Sequence, residues 1–166
     1  MDIRPYAPGD LSVCRGLHDE LVSHHREIYD APHIGGDDPA LGFDEYLALP
    51  KRVATWVAVD DGGVVVGMTG LLFSEGEATV EPVVVTSRAR GRGVGRSLIE
   101  VAIEEARSLG AKDLNVNPVA RNESAIRAFH QLGFRTLGHL QMFIRLDPDE
   151  ADWPAAMEVH GKSFRY

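Results

Sequence analysis

The chain has 166 residues, 44% of them hydrophobic, and a formal net charge of −8. This length suits one domain over residues 1–166, and the acidic charge argues against a protein that binds nucleic acid through its overall field. The sequence lacks an apolar run long enough to cross a membrane, and its single cysteine, Cys14, cannot form an internal disulfide. We therefore expect a cytoplasmic protein with neither nucleic-acid nor membrane partners.

The first half of the chain predicts two helices and three strands. A short strand at residues 2–7 precedes a helix at residues 9–29, which is capped near Asp10 and carries an apolar stripe. A loop rich in Gly, Pro and Asp follows, and then a short helix at residues 43–49 that ends before Pro50. Residues 54–60 and 64–74 predict a hairpin, which residues 78–86 extend by a third strand.

The second half alternates helices and strands. Helices are predicted at residues 94–109 and 122–132, each closed by a glycine, and strands at residues 113–117 and 140–146. The tail from residue 147 contains Trp153 and Phe164, and we expect it to pack back onto the protein. An antiparallel meander followed by strand–helix–strand–helix–strand predicts an α/β (α+β) fold with one mixed sheet and helices on both faces.

The loop between the third strand and the next helix combines glycines with arginines. The amides at a helix start have no partner within the helix and attract anions, so this loop is typical of a phosphate cradle. Two common nucleotide loops do not fit, because the loop has no lysine and because Arg96 stands where a dinucleotide loop needs glycine. The cradle residues are Arg90, Gly91, Arg92, Gly93, Val94, Gly95 and Arg96.

The remaining pattern, R-x-x-G-x-G at residues 90–95, resembles the acetyl-CoA pyrophosphate loop of the GNAT acetyltransferase superfamily. Residues 80–85 resemble the fourth strand of that family. Residues 115–134, with Asn122 and the closing Leu132-Gly133-Phe134, resemble its fifth strand and the following helix. The resemblance implies a GNAT fold with a mostly antiparallel sheet of about seven strands, and acetyl-CoA as co-substrate without a metal. It also implies direct transfer of the acetyl group to an amine in a ternary complex.

The resemblance also assigns residues to the site. Backbone groups of Val83, Val84 and Val85 would bind pantetheine and the thioester carbonyl, and Asn122 and Phe129 would also contact the cofactor. Glu81 is the candidate base, acting directly or through a water, although an exposed strand carboxylate that only attracts cations is the alternative.

The leaving-group side departs from the family pattern. Phe129 occupies the position where many members carry a tyrosine that acts as general acid, and phenylalanine has no proton to give. The adjacent His130 points about 100° away on a helix and is a poor substitute. A non-catalytic acyl-CoA sensor is therefore the alternative to an enzyme.

The acceptor stays open at this level. It could be a small-molecule amine, such as a polyamine, an aminoglycoside-like amine or an amino acid, or a protein amine, and a homodimer is also open. Asp37 and Asp38 could receive a cationic acceptor or form a solvated turn, and Tyr29 and Tyr46 could line the pocket or belong to the core.

Two further sets of residues resemble sites but do not fit one. Cys14 has His18 one turn later, a spacing that suits core packing better than a nucleophile. The adjacent His24 and His25 lack the spacing of a helical metal pair.

Overall fold

The structure is a computed structural model that describes residues 1–144, 146 and 156–166. These residues form two compact units, Met1–Asn117 and Pro118–Tyr166. Trp153, which we expect to pack back, lies outside the described residues, as does Arg145 of the predicted last strand. The organisation into one domain stays a prediction.

The first unit contains five strands and three α-helices, close to the predicted order. A 3₁₀ turn precedes α1 at Pro8–Asp10, and a second one follows β4 at Ser87–Ala89. The elements are β1 (Asp2–Pro5), α1 (Leu11–Tyr29), α2 (Leu41–Leu47), β2 (Arg52–Val59), β3 (Val65–Ser74), β4 (Glu77–Val85), α3 (Val94–Ser108) and β5 (Leu114–Asn115).

These strands form one sheet in the order β1-β2-β3-β4-β5. The first four strands pair antiparallel, and β5 pairs parallel to β4 through Leu114 and Asn115. The mixed, mostly antiparallel sheet is thus confirmed, with five strands where about seven are expected. Since β5 has only two residues, it covers only part of the β4 edge.

Helices cover both faces of this sheet. One face packs against α1 and α2 in a cluster of buried residues that includes Cys14, Phe43, Tyr46, Met68 and Val84. Successive residues of a strand point to opposite faces, so Gly67 faces the other side. There a side chain at Gly67 would lie 3.2 Å from Cδ1 of Leu98, which shows how closely α3 packs.

The start of α1 is held by the buried carboxylate of Asp10. It accepts a hydrogen bond from the backbone N–H of Ala7 at 2.9 Å and two from the guanidinium of Arg4 at 2.7 and 2.8 Å. The hydrogen bonds from Arg4 hold the pKa of Asp10 below its usual value, and burial opposes this. Asp10 thus occupies the N-cap position of α1 as the sequence predicts, but its side chain accepts no hydrogen bond from α1; it closes the 3₁₀ turn before the helix and ties that turn to β1.

The second unit contains α4 (Glu123–Gln131) and a hairpin of β6 (Ala156–Val159) and β7 (Lys162–Arg165). The predicted strand at residues 140–146 is wrong, because residues 140–144 are not in a strand. Leu140 and Ile144 are 54% and 85% exposed. Apolar alternation produces a strand only where a neighbouring strand accepts its backbone groups. In the described part of the chain, no helix is long and apolar enough to cross a membrane.

Candidate active site

The candidate site is built around an irregularity in β4. Thr69 of β3 pairs with Val83, but Leu71 pairs with Val80, so a single residue of β3 faces two residues of β4. The extra residue makes a β-bulge at Glu81 and Pro82, which bends β4 and changes the direction of its edge. Glu81, the candidate base, therefore lies where the strand bends, and its side chain is exposed.

Gly70 is the residue of β3 opposite this bulge. A side chain there would overlap the hydroxyl of Tyr46 and lie 2.5 Å from the carbonyl oxygen of Glu81. The Tyr46 hydroxyl donates to the carbonyl of Ala54 at 3.1 Å and shares a hydrogen bond of 2.9 Å with Thr55. Tyr46 is thus a core residue that supports the bulge.

The alternation of side chains along β4 locates Glu81. Val80 pairs with Leu71, whose neighbour Leu72 belongs to the cluster under α1 and α2, so Leu71 and Val80 face α3. Glu81, the next residue of β4, therefore faces α1 and α2. This places the candidate base on the face that is opposite to α3.

Beyond the bulge, β4 has an open edge. The N–H of Thr86 donates to the carbonyl of Val66 at 2.9 Å, so Thr86 and Val84 direct their backbone groups towards β3. Val83 and Val85 therefore direct theirs to the opposite edge, where β5 pairs only with Ala78 and Thr79. Among the described residues, no strand covers this edge from Val80 to Val85.

The register thus separates the three valines of the sequence prediction. Val83 and Val85 offer backbone groups at the open edge, whereas those of Val84 pair with Met68. Nε of Arg90 donates to the carbonyl of Val85 at 2.9 Å. Of the two backbone groups that Val85 directs to the open edge, the N–H therefore remains for a ligand.

The helix α3 starts immediately beyond this edge. Gly91 and Gly93 have φ of 74° and 83°, a left-handed conformation that favours glycine. The N–H of Ser97 donates to the carbonyl of Gly93 at 3.1 Å, so the amides of residues 94–96 precede the first helical hydrogen bond. These amides and the dipole of a 15-residue helix make an anion-binding end.

The arginines of the loop differ in their contacts. Arg90 bonds to Val85 and lies 3.5 Å from the carboxylate of Glu20 on α1, so it holds the loop in place. Arg92 is exposed, and Arg96 lies 3.9 Å from Glu100 on the surface of α3. Arg92 and Arg96 are therefore better placed than Arg90 to contact an anion at the helix end.

Asn122 and Phe129 belong to the second unit. Oδ1 of Asn122 caps α4 by accepting hydrogen bonds from the N–H of Ala125 at 3.1 Å and from the hydroxyl of Ser124 at 2.9 Å. The ring of Phe129 packs edge to face against Phe134, with centroids 5.8 Å apart. Both contacts are structural, and the contact of either residue with a cofactor stays a prediction.

The other candidates of the sequence belong to the core or to the surface. Cys14 is fully buried, and burial raises the pKa of its thiol to about 12, which keeps it protonated and unreactive. Tyr29 is buried like Tyr46, so both are core residues. Asp37 and Asp38 are exposed in the loop before α2.

A cavity of about 420 Å³ lies beside the glycine loop and is lined in part by Arg92 and Val94. Its lining includes Asp60 and Asp61 of the β2–β3 turn and Arg88 and Arg92 of the loop. Glu81 and Val83 do not line it. The open edge of β4, and not this cavity, therefore brings the uncovered backbone groups of β4 close to the start of α3.

Fold and loop place the chain among α/β proteins that carry a glycine-rich loop between a strand and a helix. A family model described as the acetyltransferase (GNAT) family matches residues 18–134, well over half of the chain. The chain belongs to the GNAT family.

Two relatives are acetyltransferases. The chain is 34% identical over 109 residues to streptothricin acetyltransferase of Streptomyces lavendulae, a match that covers 64% of the chain and 56% of that relative. It is 27% identical over 141 residues to an L-methionine sulfoximine/L-methionine sulfone acetyltransferase of Salmonella typhimurium, covering 81% of the chain and 80% of that relative.

A solved structure shows the same fold. It is the aminoglycoside N-acetyltransferase AAC(6')-Iy in complex with CoA, with a TM-score of 0.65 and 21% sequence identity. The match covers 88% of the chain and 95% of that structure. It supports the fold.

Proposed function

We propose that the protein is an acetyl-CoA-dependent N-acetyltransferase that moves the acetyl group to an amine. The observation that carries this proposal is the open edge of β4, which runs directly into the amide-rich start of α3. Acetyl-CoA carries its thioester on a long polar arm that ends in a pyrophosphate. It therefore needs a strand edge for the arm and an anion-binding helix end for the pyrophosphate side by side.

In this proposal the start of α3 binds the pyrophosphate. The amides of Val94, Gly95 and Arg96 donate to its oxygens, and the exposed Arg92 and Arg96 add positive charge. Gly91 and Gly93 turn the loop so that the anion approaches the backbone closely. Family membership and the direction of the helix both support this assignment.

Pantetheine would lie along β4 as an added strand. The N–H and C=O of Val83 and the N–H of Val85 point to the open edge, at the spacing that a strand-like ligand uses. An N–H of this edge that is directed at the thioester carbonyl would stabilise the oxyanion that forms during attack.

Glu81 is our candidate for the base. Its exposed carboxylate lies on the α1 and α2 face, at the bulge between the paired part of β4 and the open edge. From there it could take the ammonium proton of the acceptor, directly or through one water, before nitrogen attacks the carbonyl carbon. The C–S bond then breaks, the thiolate of CoA leaves, and the second proton of the attacking nitrogen passes to water or to the thiolate.

A second function has an observation in its favour. Phe129 packs against Phe134 and has no hydroxyl to protonate the leaving thiolate. Tyr46 does not replace it, because its hydroxyl is buried and bonded to Ala54 and Thr55. A protein of this fold that binds acyl-CoA without turning it over is therefore the alternative.

For the acceptor, the relatives favour a small molecule over a protein. Streptothricin acetyltransferase and the methionine sulfoximine/sulfone acetyltransferase are named for small molecules. The net charge of −8 and the exposed Glu81, Asp37 and Asp38 suit an acceptor that arrives as a cation.

One experiment tests the enzyme against the sensor. We expect acetyl-CoA-dependent release of free CoA thiol with at least one member of a panel of polyamines, aminoglycosides and amino-acid analogues. Tight binding of acetyl-CoA without turnover of any amine would support the sensor, and absence of binding would contradict both functions.

The role of Glu81 is tested with Glu81→Gln. We expect kcat to fall by about 10²-fold or more while the affinity for acetyl-CoA stays within twofold, since Glu81 does not belong to the cradle. The acidic limb of the pH–rate profile should also change. An unaltered profile would make Glu81 an exposed strand residue without a catalytic role.

The missing acid is tested with Phe129→Tyr. A hydroxyl at this position should raise kcat if it reaches the thioester sulfur, because its hydrogen bond strengthens as charge develops there. A variant that folds and binds acetyl-CoA without faster turnover would show that the proton comes from elsewhere or is not needed.

A further inference from the structure

The carboxylate of Glu20 makes a contact that the sequence does not indicate. Glu20 lies on α1, and its Oε1 accepts a hydrogen bond from the backbone N–H of Ser87 at 2.8 Å. Ser87 is 67 residues away in the chain and begins the 3₁₀ turn that leads into the glycine loop. A side chain of the first helix thus holds the backbone of this loop.

The same carboxylate also lies beside Arg90. Nη2 of Arg90 is 3.5 Å from Oε1 of Glu20, and its Nε donates to the carbonyl of Val85 at 2.9 Å. Three elements are therefore joined in a small ring, namely α1 through Glu20, the loop through Ser87 and Arg90, and the end of β4 through Val85. The ring closes directly before Gly91, where the left-handed turns begin.

We propose that Glu20 is a positioning residue for acetyl-CoA. By fixing the loop entry, it sets the direction in which the amides at the start of α3 face the ligand. This inference rests on the proposed function, because it takes that ligand to be the pyrophosphate of CoA. It goes further in assigning the orientation of the cradle to a residue outside the loop.

Two effects of Glu20 oppose each other. Its negative charge disfavours a nearby polyanion, whereas its hydrogen bond to Ser87 holds the cradle in the binding geometry. Glu20 and Arg90 are 33% and 50% exposed, so water and salt screen the charge and weaken the ion pair. The hydrogen bond from the N–H of Ser87 to the carboxylate is 2.8 Å long, and its charged acceptor strengthens it. Anchoring therefore dominates.

Two substitutions separate the effects. Glu20→Gln removes the charge but keeps an oxygen that accepts from Ser87, whereas Glu20→Met keeps the length of the side chain and removes the acceptor. Both residues suit a helix, so α1 should stay intact. With CoA as the probe in titration calorimetry, we expect Kd within threefold of the wild type for Glu20→Gln and at least tenfold weaker for Glu20→Met.

Glu100→Gln is the matched control. It removes a negative charge close to Arg96 at the helix start without touching the loop anchor, so CoA affinity should stay unchanged or rise slightly. A second readout needs no ligand. The amide of Ser87 should exchange its hydrogen at least tenfold faster in Glu20→Met than in the wild type, and at close to the wild-type rate in Glu20→Gln.

The outcomes are distinguishable. Wild-type protein that does not bind CoA would contradict the proposed function and with it this inference. Wild-type binding together with unchanged affinity in folded Glu20→Met would overturn the role of Glu20 alone, as would equal losses in Glu20→Gln and Glu20→Met. Weaker binding in Glu20→Met with rescue in Glu20→Gln supports it.

Discussion

The glycine at the bulge and the glycines of the loop serve opposite purposes. At Gly70 the space of a side chain is filled by the Tyr46 hydroxyl and the Glu81 carbonyl. At Gly91 and Gly93 no protein atom lies within 4 Å of that space, and the backbone has a positive φ. The first region needs glycine because protein atoms fill the space of a side chain, and in our proposal the second region needs glycine so that a ligand can fill that space.

This difference separates stability from binding. A substitution at Gly70 acts on the fold, because the atoms it displaces belong to two packed elements, α2 and β4. A substitution in the loop acts on the ligand, because it extends into open space. Substitutions at these glycines test whether the effect on stability and the effect on ligand binding are independent.

Gly70→Ala should have the largest effect. Its methyl group would overlap Tyr46, a buried side chain that cannot move without losing its bonds to Ala54 and Thr55. We expect the free energy of unfolding to fall by more than about 3 kcal/mol, measured by urea denaturation. A loss below about 1 kcal/mol would show that the bulge adapts and that glycine is not needed there.

Alkaline pH should weaken the same region. Burial raises the pKa of Tyr46 to about 12 in the folded state, against about 10 when unfolded. The folded state keeps its proton while the unfolded state loses it, so this stability is complete below pH 10 and declines as pH rises towards 12. The loss attributable to Tyr46 should reach about 2 kcal/mol.

Tyr46→Phe is the reference for that measurement. Tyr6 and Cys14 also have raised pKa values, and their contributions cancel when the two proteins are compared over the same pH range. If the stability of wild type and variant declined in parallel between pH 10 and 12, Tyr46 would not be the group responsible.

Gly93→Ala should lower both the stability of the fold and the affinity for CoA, and the affinity is the more direct test of the cradle. Its φ of 83° strains any other residue, so stability should fall by about 1 kcal/mol. We expect CoA to bind at least tenfold more weakly, about 1.4 kcal/mol, in calorimetry. Gly110→Ala is the control, since Gly110 has a φ of 77° and open space but lies beyond the other end of α3. Equal affinity in the two variants would contradict the cradle.

Gly95→Ala should have the smallest effect, and it should change stability and CoA affinity in opposite directions. Its Cβ would make an ordinary contact of 3.7 Å with Val85, and alanine favours a helix more than glycine. Stability should stay equal or rise by about 0.5 kcal/mol, while CoA affinity should fall about threefold because the methyl group lies beside Val85, at the end of the open edge. Gly16→Ala in α1, also in open space, should leave affinity unchanged.

Local patterns predicted the elements that local forces determine. The periodicity of α1 and α3, the alternation of β2 to β4 and the R-x-x-G-x-G loop all depend on residues close in sequence, and the structure contains each of them. The order of these elements also predicted the mixed sheet and the helices on its two faces.

The rest depends on contacts between residues distant in sequence. The bulge needs Gly70, Tyr46 and Glu81 together, and no spacing between them marks it. Glu20 reaches Ser87 only after the sheet has formed.

Near the end of the chain, the sequence failed to predict the structure in two places. Residues 140–144 have strand-like alternation but pair with no strand among the described residues. The hairpin at residues 156–165 turns at His160 and Gly161, whose φ of 50° and 70° fit a type I′ turn. The residue pair His-Gly predicts this turn only weakly.

The bulge has one more consequence, for the solubility of the chain. An open strand edge is a template on which other chains can assemble into aggregates. Here the edge is bent, Glu81 adds a charge, Pro82 has no N–H to offer, and Arg90 occupies the carbonyl of Val85. A full β-strand cannot pair along such an interrupted edge, whereas a narrow chain that needs only a few hydrogen bonds can. The features that would admit a slender ligand thus also disfavour aggregation by strand pairing at this edge.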